Sequence, residues 1–175
     1  SNAYDFEVYD FDIVKIGEQV WMQKNLNKGV MLNQGEDPSP NDVVEKFCVD
    51  DDPSNCNKYG AIYSWEEAMD YFLQEGSQGI CPEGWHVPTD EDWKELEIYL
   101  GMSESEANQL NFRGDGIGTK MKVGGSSGLD LTLAGYAYGN DNSGLIDTVG
   151  YYWSSSTYSG PAKYARQIRY DKTQV

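Results

Sequence analysis

The run Thr89-Asp90-Glu91-Asp92-Trp93-Lys94-Glu95-Leu96-Glu97-Ile98-Tyr99-Leu100-Gly101 predicts the main helix of this protein. Its first residue, a threonine, is a preferred N-cap, and the three acidic residues that follow are stabilised by the positive end of the helix dipole. Trp93, Leu96 and Leu100 recur at helical spacing and should form the buried face of the helix. Gly101 should end it, because glycine readily adopts the left-handed conformation after a helix.

Two further helices are predicted around this one. Ser64-Trp65-Glu66-Glu67 fits a capping box, in which the serine hydroxyl accepts from the fourth residue's amide and the Glu67 carboxylate returns to the N-cap amide. This helix should run to Gly76 and bury one face formed by Trp65, Ala68, Met69 and Phe72. A shorter helix should begin at Ser103, with Glu106 as its third residue.

Strands are predicted on both sides of the helices. Residues 12–16 and 19–22 indicate a hairpin that turns at Gly17-Glu18, and residues 25–53 should form a long loop. Leu129, Leu131 and Leu133 alternate in one strand, and further strands are expected at 136–138, 146–149, 151–155 and 164–170. The pattern predicts an α+β fold, with an antiparallel sheet joining both ends of the chain, two main helices and long Gly/Tyr-rich loops.

Composition and charge exclude several classes of protein. The 175 residues carry 13 Lys+Arg against 29 Asp+Glu, a formal net charge of −16, which disfavours nucleic acid and anionic membrane surfaces as partners. No run of about 18 apolar residues predicts a transmembrane segment. Residues 1–3, Ser-Asn-Ala, are typical of a remnant left by tag removal, so the predicted single domain spans residues 4–175.

The three cysteines indicate an exported chain. Cys48 and Cys56 bracket a segment that must turn at Pro53, and a disulfide between them would contribute about 2.5 kcal/mol by restricting the unfolded chain. The alternative is a pair of free thiols, as in a cytosolic protein. A zinc site is disfavoured, because His86 is the only histidine and no CxxC pair is present. Cys81 is left without an evident partner.

The inventory of catalytic groups is thin. His86 could serve a Ser–His–Asp arrangement with Ser154, Ser155 or Ser156, but no nucleophile-elbow pattern is present and its neighbours favour a structural hydrogen-bonding role. The acidic cluster at Asp50-Asp51-Asp52 lacks the spacing of an EF-hand calcium loop. We therefore predict no catalytic residue, no metal and no cofactor.

Aromatic residues are concentrated in the predicted C-terminal strands. Flat rings beside amides are typical of surfaces that hold sugar rings or peptides, whereas the alternative is ordinary packing of a tyrosine-rich sheet. We predict that a contact surface for a ligand is formed by Tyr151, Tyr152, Trp153 and Tyr158 together with Asn140 and Asn142.

Five ordered motifs resemble the Fibrobacter succinogenes major paralogous domain family. They lie at residues 14–27, at 51–65, at 81–93, at 118–122, and at 134–136 with Gly150-Tyr151-Tyr152-Trp153-Ser154-Ser155-Ser156-Thr157. The resemblance implies a C-type-lectin-like α+β fold, shared distantly with formylglycine-generating and sulfatase-modifying domains. It also implies an exported, often lipid-anchored protein of a family without an established activity.

The chain departs from these relatives in two respects. The cysteine that usually closes such a domain near its C-terminus is absent here. Two expectations stay open: either the chain is cut short or Cys81 has lost its partner, with the usual last strand missing or replaced. The Glu-Pro-Asn and Trp-Asn-Asp calcium signatures of sugar-binding C-type lectins and the paired catalytic cysteines of formylglycine generators are absent too. Both absences argue against a calcium-dependent lectin and against that enzyme activity.

Together these features predict a secreted, non-catalytic domain for binding or adhesion. Its expected place is the cell surface, the outer membrane or the periplasm, with any lipid anchor outside these residues, and its expected ligand is a glycan or a surface protein. Two alternatives remain at this point: an enzyme of the sulfatase-modifying-factor or carboxylate-hydrolase type, and a structural module of a surface assembly.

Overall fold

A computed structural model describes residues 12–138 and 142–175, apart from the side chains of Tyr138 and Asn142. The described chain is of mixed α and β structure, in agreement with the predicted α+β class. Its helices are α1 (Pro53–Tyr59), α2 (Trp65–Ala68), α3 (Asp90–Tyr99), α4 (Glu104–Ala107) and α5 (Ile117–Met121). Its strands are β1 (Ile13–Ile16), β2 (Gln19–Met22), β3 (Val30–Leu32), β4 (Glu45–Phe47), β5 (Tyr136–Tyr138), β6 (Asn142–Gly144), β7 (Val149–Ser159) and β8 (Ala162–Arg169).

The strands pair in twos. β1–β2, β5–β6 and β7–β8 are antiparallel, and β3–β4 is parallel. The predicted hairpin is therefore confirmed, but the expected single sheet is replaced, over the described residues, by four separate two-stranded sheets. Outside the four sheets, the described chain forms isolated single-residue bridges, such as Gly135↔Gly150. Most strands have only three or four residues and are interrupted by left-handed turns, which leaves too little edge for a continuous sheet.

Three local predictions for loops and strands are wrong. The long loop expected over residues 25–53 contains the β3–β4 pair, and α1 follows it directly. Residues 129–133 form an irregular segment with a single bridge at Leu131, although Leu129 and Leu131 are buried as the alternation indicated. Residues 146–148 form a turn that precedes β7. In each place tertiary contacts override the local pattern.

α3 agrees closely with its prediction. The Thr89 hydroxyl accepts from the Asp92 amide at 3.0 Å, and the Asp92 carboxylate accepts from the Thr89 amide at 2.8 Å, which completes a capping box. The helix ends at Tyr99, and Gly101 adopts the left-handed conformation with φ 111°. Trp93 and Leu96 are buried.

α2 is much shorter than predicted. It ends at Ala68, because Asp70 and Tyr71 adopt left-handed backbone conformations, and Phe72 is 62% exposed instead of buried. Ser64 caps the helix as expected, but Glu67 does not return to the N-cap. Its carboxylate instead accepts from the backbone of Glu45 at 2.8 Å, so it links α2 to β4.

The main core lies between the first hairpin, α3, α5 and β8. Its buried members are Ile16, Trp93, Leu96, Met102, Ala107, Ile117, Met121, Leu129, Leu131, Ile168 and Val175. A second cluster contains Trp65, Met69 and Val87, with Cys81 and Trp153 packed against it. The two clusters hold α2 and α3 beside β7.

A wide bulge in β7 joins these parts. Trp153 pairs with Ala165 and Thr157 pairs with Lys163, so three serines in β7 lie opposite one residue of β8. The serines are buried, and two of them bond residues at the start of α3. The Ser155 amide donates to the Pro88 carbonyl, and the Ser156 hydroxyl accepts from the Asp90 amide, both at 2.8 Å. The bulge thus fixes the start of α3 against β7.

The predicted disulfide is confirmed between Cys48 and Cys56. Its loop contains a 3-10 turn and the start of α1, which is capped by the Asp52 carboxylate accepting from the Ser54 amide at 2.8 Å. None of the helices in the described chain has the length and apolar character required to cross a bilayer. The predicted tag remnant at residues 1–3 lies outside the described residues.

Candidate ligand-binding cleft

A cleft of about 880 Å³ lies between the first hairpin, the start of α2, the loop before α3 and β7. The chain has five tryptophans, and all of them line this cleft: Trp21, Trp65, Trp85, Trp93 and Trp153. We call it the tryptophan cleft. Tyr63, Tyr151 and Tyr152 extend the aromatic wall.

Hydrogen bonds hold four of the indole rings in place. The indole N–H groups of Trp65 and Trp93 donate to the carbonyls of Ser154 and Trp153 in β7, at 2.8 and 3.2 Å. Trp153 in turn donates to the Tyr63 carbonyl at 3.0 Å. The fourth ring, Trp21, donates to the side chain of Gln19 at 3.1 Å.

Ring contacts continue this fixed wall. The centroids of Trp21 and Trp93 are 4.8 Å apart in a tilted arrangement, and Tyr152 meets Trp93 edge-on at 6.3 Å. The Tyr152 hydroxyl donates to the Thr132 carbonyl at 2.7 Å, so this ring is held at both ends. Aromatic pairs in these geometries are mutually stabilising, and the wall is therefore organised before any ligand arrives.

Trp85 differs from the other four tryptophans. It closes a tight turn in which its amide donates to the Pro82 carbonyl at 3.0 Å, and Gly84 supplies the left-handed φ of 84° that the turn requires. The ring is half-buried, and no atom of the described residues accepts from its indole N–H. This donor is available to a molecule in the cleft.

His86 lies at the edge of the cleft beside the cap of α3. Its Nε2 is 3.0 Å from the Asp92 carboxylate, which also accepts from the amide and the hydroxyl of Thr89. Burial raises the pKa of Asp92, but the hydrogen bonds from Thr89 and His86 outweigh it, and the pKa lies below its usual range. The hydroxyls of the three bulge serines bond backbone groups and, in the case of Ser156, the Glu75 carboxylate. None of them bonds His86, so the described residues form no Ser–His–Asp relay.

Cys81 and Lys163 also line the cleft and contribute a thiol and an ammonium group. Burial raises the pKa of the Cys81 thiol to about 11, so the sulfur is a protonated thiol at neutral pH and a poor nucleophile. Lys163 places its ammonium 3.8 Å from the centroid of the Trp65 ring. Within the described chain, no group of three His, Cys, Asp or Glu side chains is arranged to hold a metal ion.

The structure brings together only part of the predicted contact surface. Tyr151, Tyr152 and Trp153 line the cleft, whereas Tyr158 lies outside it and packs edge-on against Tyr164, with centroids 5.4 Å apart. Asn140 and the side chain of Asn142 lie outside the described residues. Tyr158 leaves the cleft because the serine bulge separates its part of β7 from the Trp153 part.

Four tryptophans of the cleft were not among the predicted contact residues: Trp21, Trp65, Trp85 and Trp93. A signal for them was present in the sequence, because every tryptophan of the chain falls within one of the motifs at 14–27, 51–65, 81–93 and 150–157. Their helical or strand spacing, however, is equally typical of core residues, and Trp65 and Trp93 are indeed also core residues.

Comparison with protein families identifies a match that covers most of the chain. The model of the Fibrobacter succinogenes major domain matches residues 14–174, nearly the whole chain, which confirms the resemblance seen in its motifs. Neither a curated protein nor a solved structure matches the chain.

Proposed function

Because the chain belongs to the Fibrobacter succinogenes major domain family, we propose that it is an exported glycan-binding domain of C-type-lectin-like fold. The observation that carries the proposal is the convergence of all five tryptophans on one cleft. The proposed location is the cell surface or the periplasm, and the disulfide supports export, because such bonds persist in oxidising compartments.

The cleft has the chemistry that sugar rings need. A pyranose presents flat faces of C–H groups and an edge of hydroxyls, and these match aromatic walls with a few polar groups between them. The Trp85 indole N–H and His86 supply such polar groups around the cleft. Its volume of about 880 Å³ is large enough for more than one sugar unit.

The first experiment is a glycan and polysaccharide array, read with calcium and then with a chelator. We expect selective binding that survives the chelator, because the proposed contacts are aromatic and hydrogen-bonded. An array that stays silent in both conditions would overturn the glycan proposal. Signal lost in the chelator would contradict the proposed metal-independent contacts.

Two tyrosines of the same strand provide a matched test of the site. Tyr151 is 47% exposed and lines the cleft, whereas Tyr158 is 57% exposed and lies outside it. Tyr151→Ala and Trp85→Ala should each weaken binding of the best array ligand by roughly tenfold or more, the effect of losing about 1.4 kcal/mol. Tyr158→Ala should leave it unchanged, as measured by isothermal titration calorimetry. A loss confined to Tyr158→Ala would place the ligand elsewhere on the strand.

Cys81 provides an independent measure of occupancy. It is the free cysteine of the chain and lines the cleft, so a bound glycan should slow its alkylation. Protection should disappear in Trp85→Ala at ligand concentrations that saturate the unmodified protein.

A further inference from the structure

Lys163 is fixed on the wall of the tryptophan cleft. It lies in β8 opposite Thr157, at the end of the serine bulge, and its ammonium rests 3.8 Å from the centroid of the Trp65 ring. Trp65 is only 3% exposed and is anchored to β7 through its indole N–H. The lysine therefore rests on a rigid surface, and the attraction between cation and ring holds its charge there.

This ammonium has no carboxylate partner among the described residues, although acidic groups outnumber basic ones by 29 to 13 in the chain. The other lysine that lines the cleft, Lys24, forms an ion pair with Asp12 at 2.5 Å. Buried cations elsewhere are paired in the same way: Arg113 and Arg166 both bond Glu97. Of the two lysines that line the tryptophan cleft, Lys163 is therefore the one without a carboxylate partner among the described residues.

The acidic groups around the cleft do not neutralise the Lys163 ammonium. The Asp92 carboxylate is engaged by Thr89 and His86, and those of Asp37 and Glu66 belong to exposed residues that also line the cleft. A ligand carboxylate would be repelled by these groups and attracted at Lys163. Beside the apolar rings, the interaction is also less screened than it would be in open water.

We infer that Lys163 binds the carboxylate of an acidic sugar unit, such as a uronic acid, in a glycan whose neighbouring units stack on the tryptophans. This inference rests on the proposed glycan-binding function. The net charge of −16 disfavours a polyanion, so the fitting ligand carries isolated acidic units within an otherwise neutral chain.

A matched pair of ligands tests the inference. The best-binding array oligosaccharide is prepared in two forms that differ only at C6 of one hexose, which is a primary alcohol in one and a carboxylate in the other. Isothermal titration calorimetry should show that the unmodified protein prefers the carboxylate form by about tenfold, the equivalent of about 1.4 kcal/mol. Lys163→Met keeps most of the apolar stem and should lose this preference, so that its affinities for the two forms become equal.

Lys172→Met is the matched control. Lys172 also lies over an aromatic ring, with its ammonium 5.8 Å from the centroid of Phe112, but it is outside the cleft. This variant should retain the preference for the carboxylate form. Trp85→Ala should weaken binding of both forms. This result distinguishes loss of an aromatic contact from loss of the Lys163 charge.

The remaining outcomes distinguish the two proposals. Equal binding of both forms by the unmodified protein would overturn the role of Lys163 and leave glycan binding standing. If Lys163→Met weakened binding of both forms equally, the proposed role of Lys163 would also be overturned, because a purely structural role predicts that result. Failure of the unmodified protein to bind either form would overturn glycan binding itself.

Discussion

At the scale of single residues, the disulfide shows what short-range sequence can specify. Cys48 and Cys56 are close in the chain, and the residues between them include Pro53 at the start of α1 and Asp52 as its cap. Both sulfurs are buried, and the loop is further held by the Asn55 side chain, which donates to the Val49 carbonyl at 2.9 Å. A short covalent loop of this kind is specified largely by its own residues.

We predict that Cys48→Ala combined with Cys56→Ala lowers the free energy of unfolding by about 2.5 kcal/mol, because the unfolded chain gains the entropy of an open loop. Urea denaturation of oxidised protein measures the change. Cys81→Ala is the control and should cost less, since it leaves the bridge intact. A double variant as stable as the unmodified protein would contradict the prediction.

At the scale of elements, two sets of hydrogen bonds hold the start of α3. Thr89 and Asp92 cap one another within the helix, while His86 and Ser156 bond the same end from outside it. The internal pair was readable from the sequence because both residues lie within one turn. The external partners depend on how the loop and β7 pack.

The pH dependence of stability follows from Asp92. Its folded pKa lies below the ordinary value of about 3.9, so its contribution is fully present above that value and is lost as the pH falls through the folded pKa. We expect the free energy of unfolding to fall as the pH goes from about 5 towards 2, and Asp92→Asn to reduce this dependence. At neutral pH the variant should lose about 1 kcal/mol through the weakened cap.

Denaturant titrations between these pH values measure the difference between the two proteins. Glu91→Gln removes the same charge from an exposed neighbour in the same turn and serves as the control. Identical pH dependence in Asp92→Asn and the unmodified protein would exclude the assigned role of this carboxylate.

At the scale of the whole molecule, a buried charge network ties distant elements together. Glu97 of α3 has 0% exposure and bonds Arg166 of β8 at 2.5 Å and Arg113 of the segment before α5 at 2.8 Å. Arg166 also bonds Asp90 at 2.7 Å. Burial raises the pKa of Glu97 even though both guanidinium groups oppose that shift.

Removing one partner of this network should be costly. Arg166→Met should lower the free energy of unfolding by about 3–5 kcal/mol, because Glu97 and Asp90 are left buried with too few cations. Arg169→Met, in the same strand, breaks only the more exposed pair with Asp171 and should cost much less stability. Chemical denaturation compares the two variants. Equal costs would show that the network adds nothing beyond a surface pair.

A double replacement tests whether the network acts as a unit. Glu97→Leu with Arg166→Met removes both charges of its shortest pair. Because residues in one network are coupled, the loss of stability should be smaller than the sum of the two single losses. An additive result would mean that each charge is stabilised independently.

The candidate site was predicted in part, for a physical reason. Tyr151, Tyr152 and Trp153 were identified because the C-terminal strands are rich in aromatic residues. Tyr158 was grouped with them for the same reason, because the sequence pattern did not predict the three-residue bulge that separates it from Trp153. Trp21 and Trp85 come from other parts of the chain, and their meeting with β7 depends on packing that no local pattern encodes.

The amino-acid sequence alone determined the α+β class, the first hairpin, the cap of α3, the disulfide loop and the family, because each depends on residues near one another or on ordered motifs. Only the tertiary structure decided that the sheets stay separate, that α2 stops early, and that five tryptophans and Lys163 meet in one cleft. These features join residues far apart in the chain, and their positions are set by burial of the two apolar clusters and by the serine bulge.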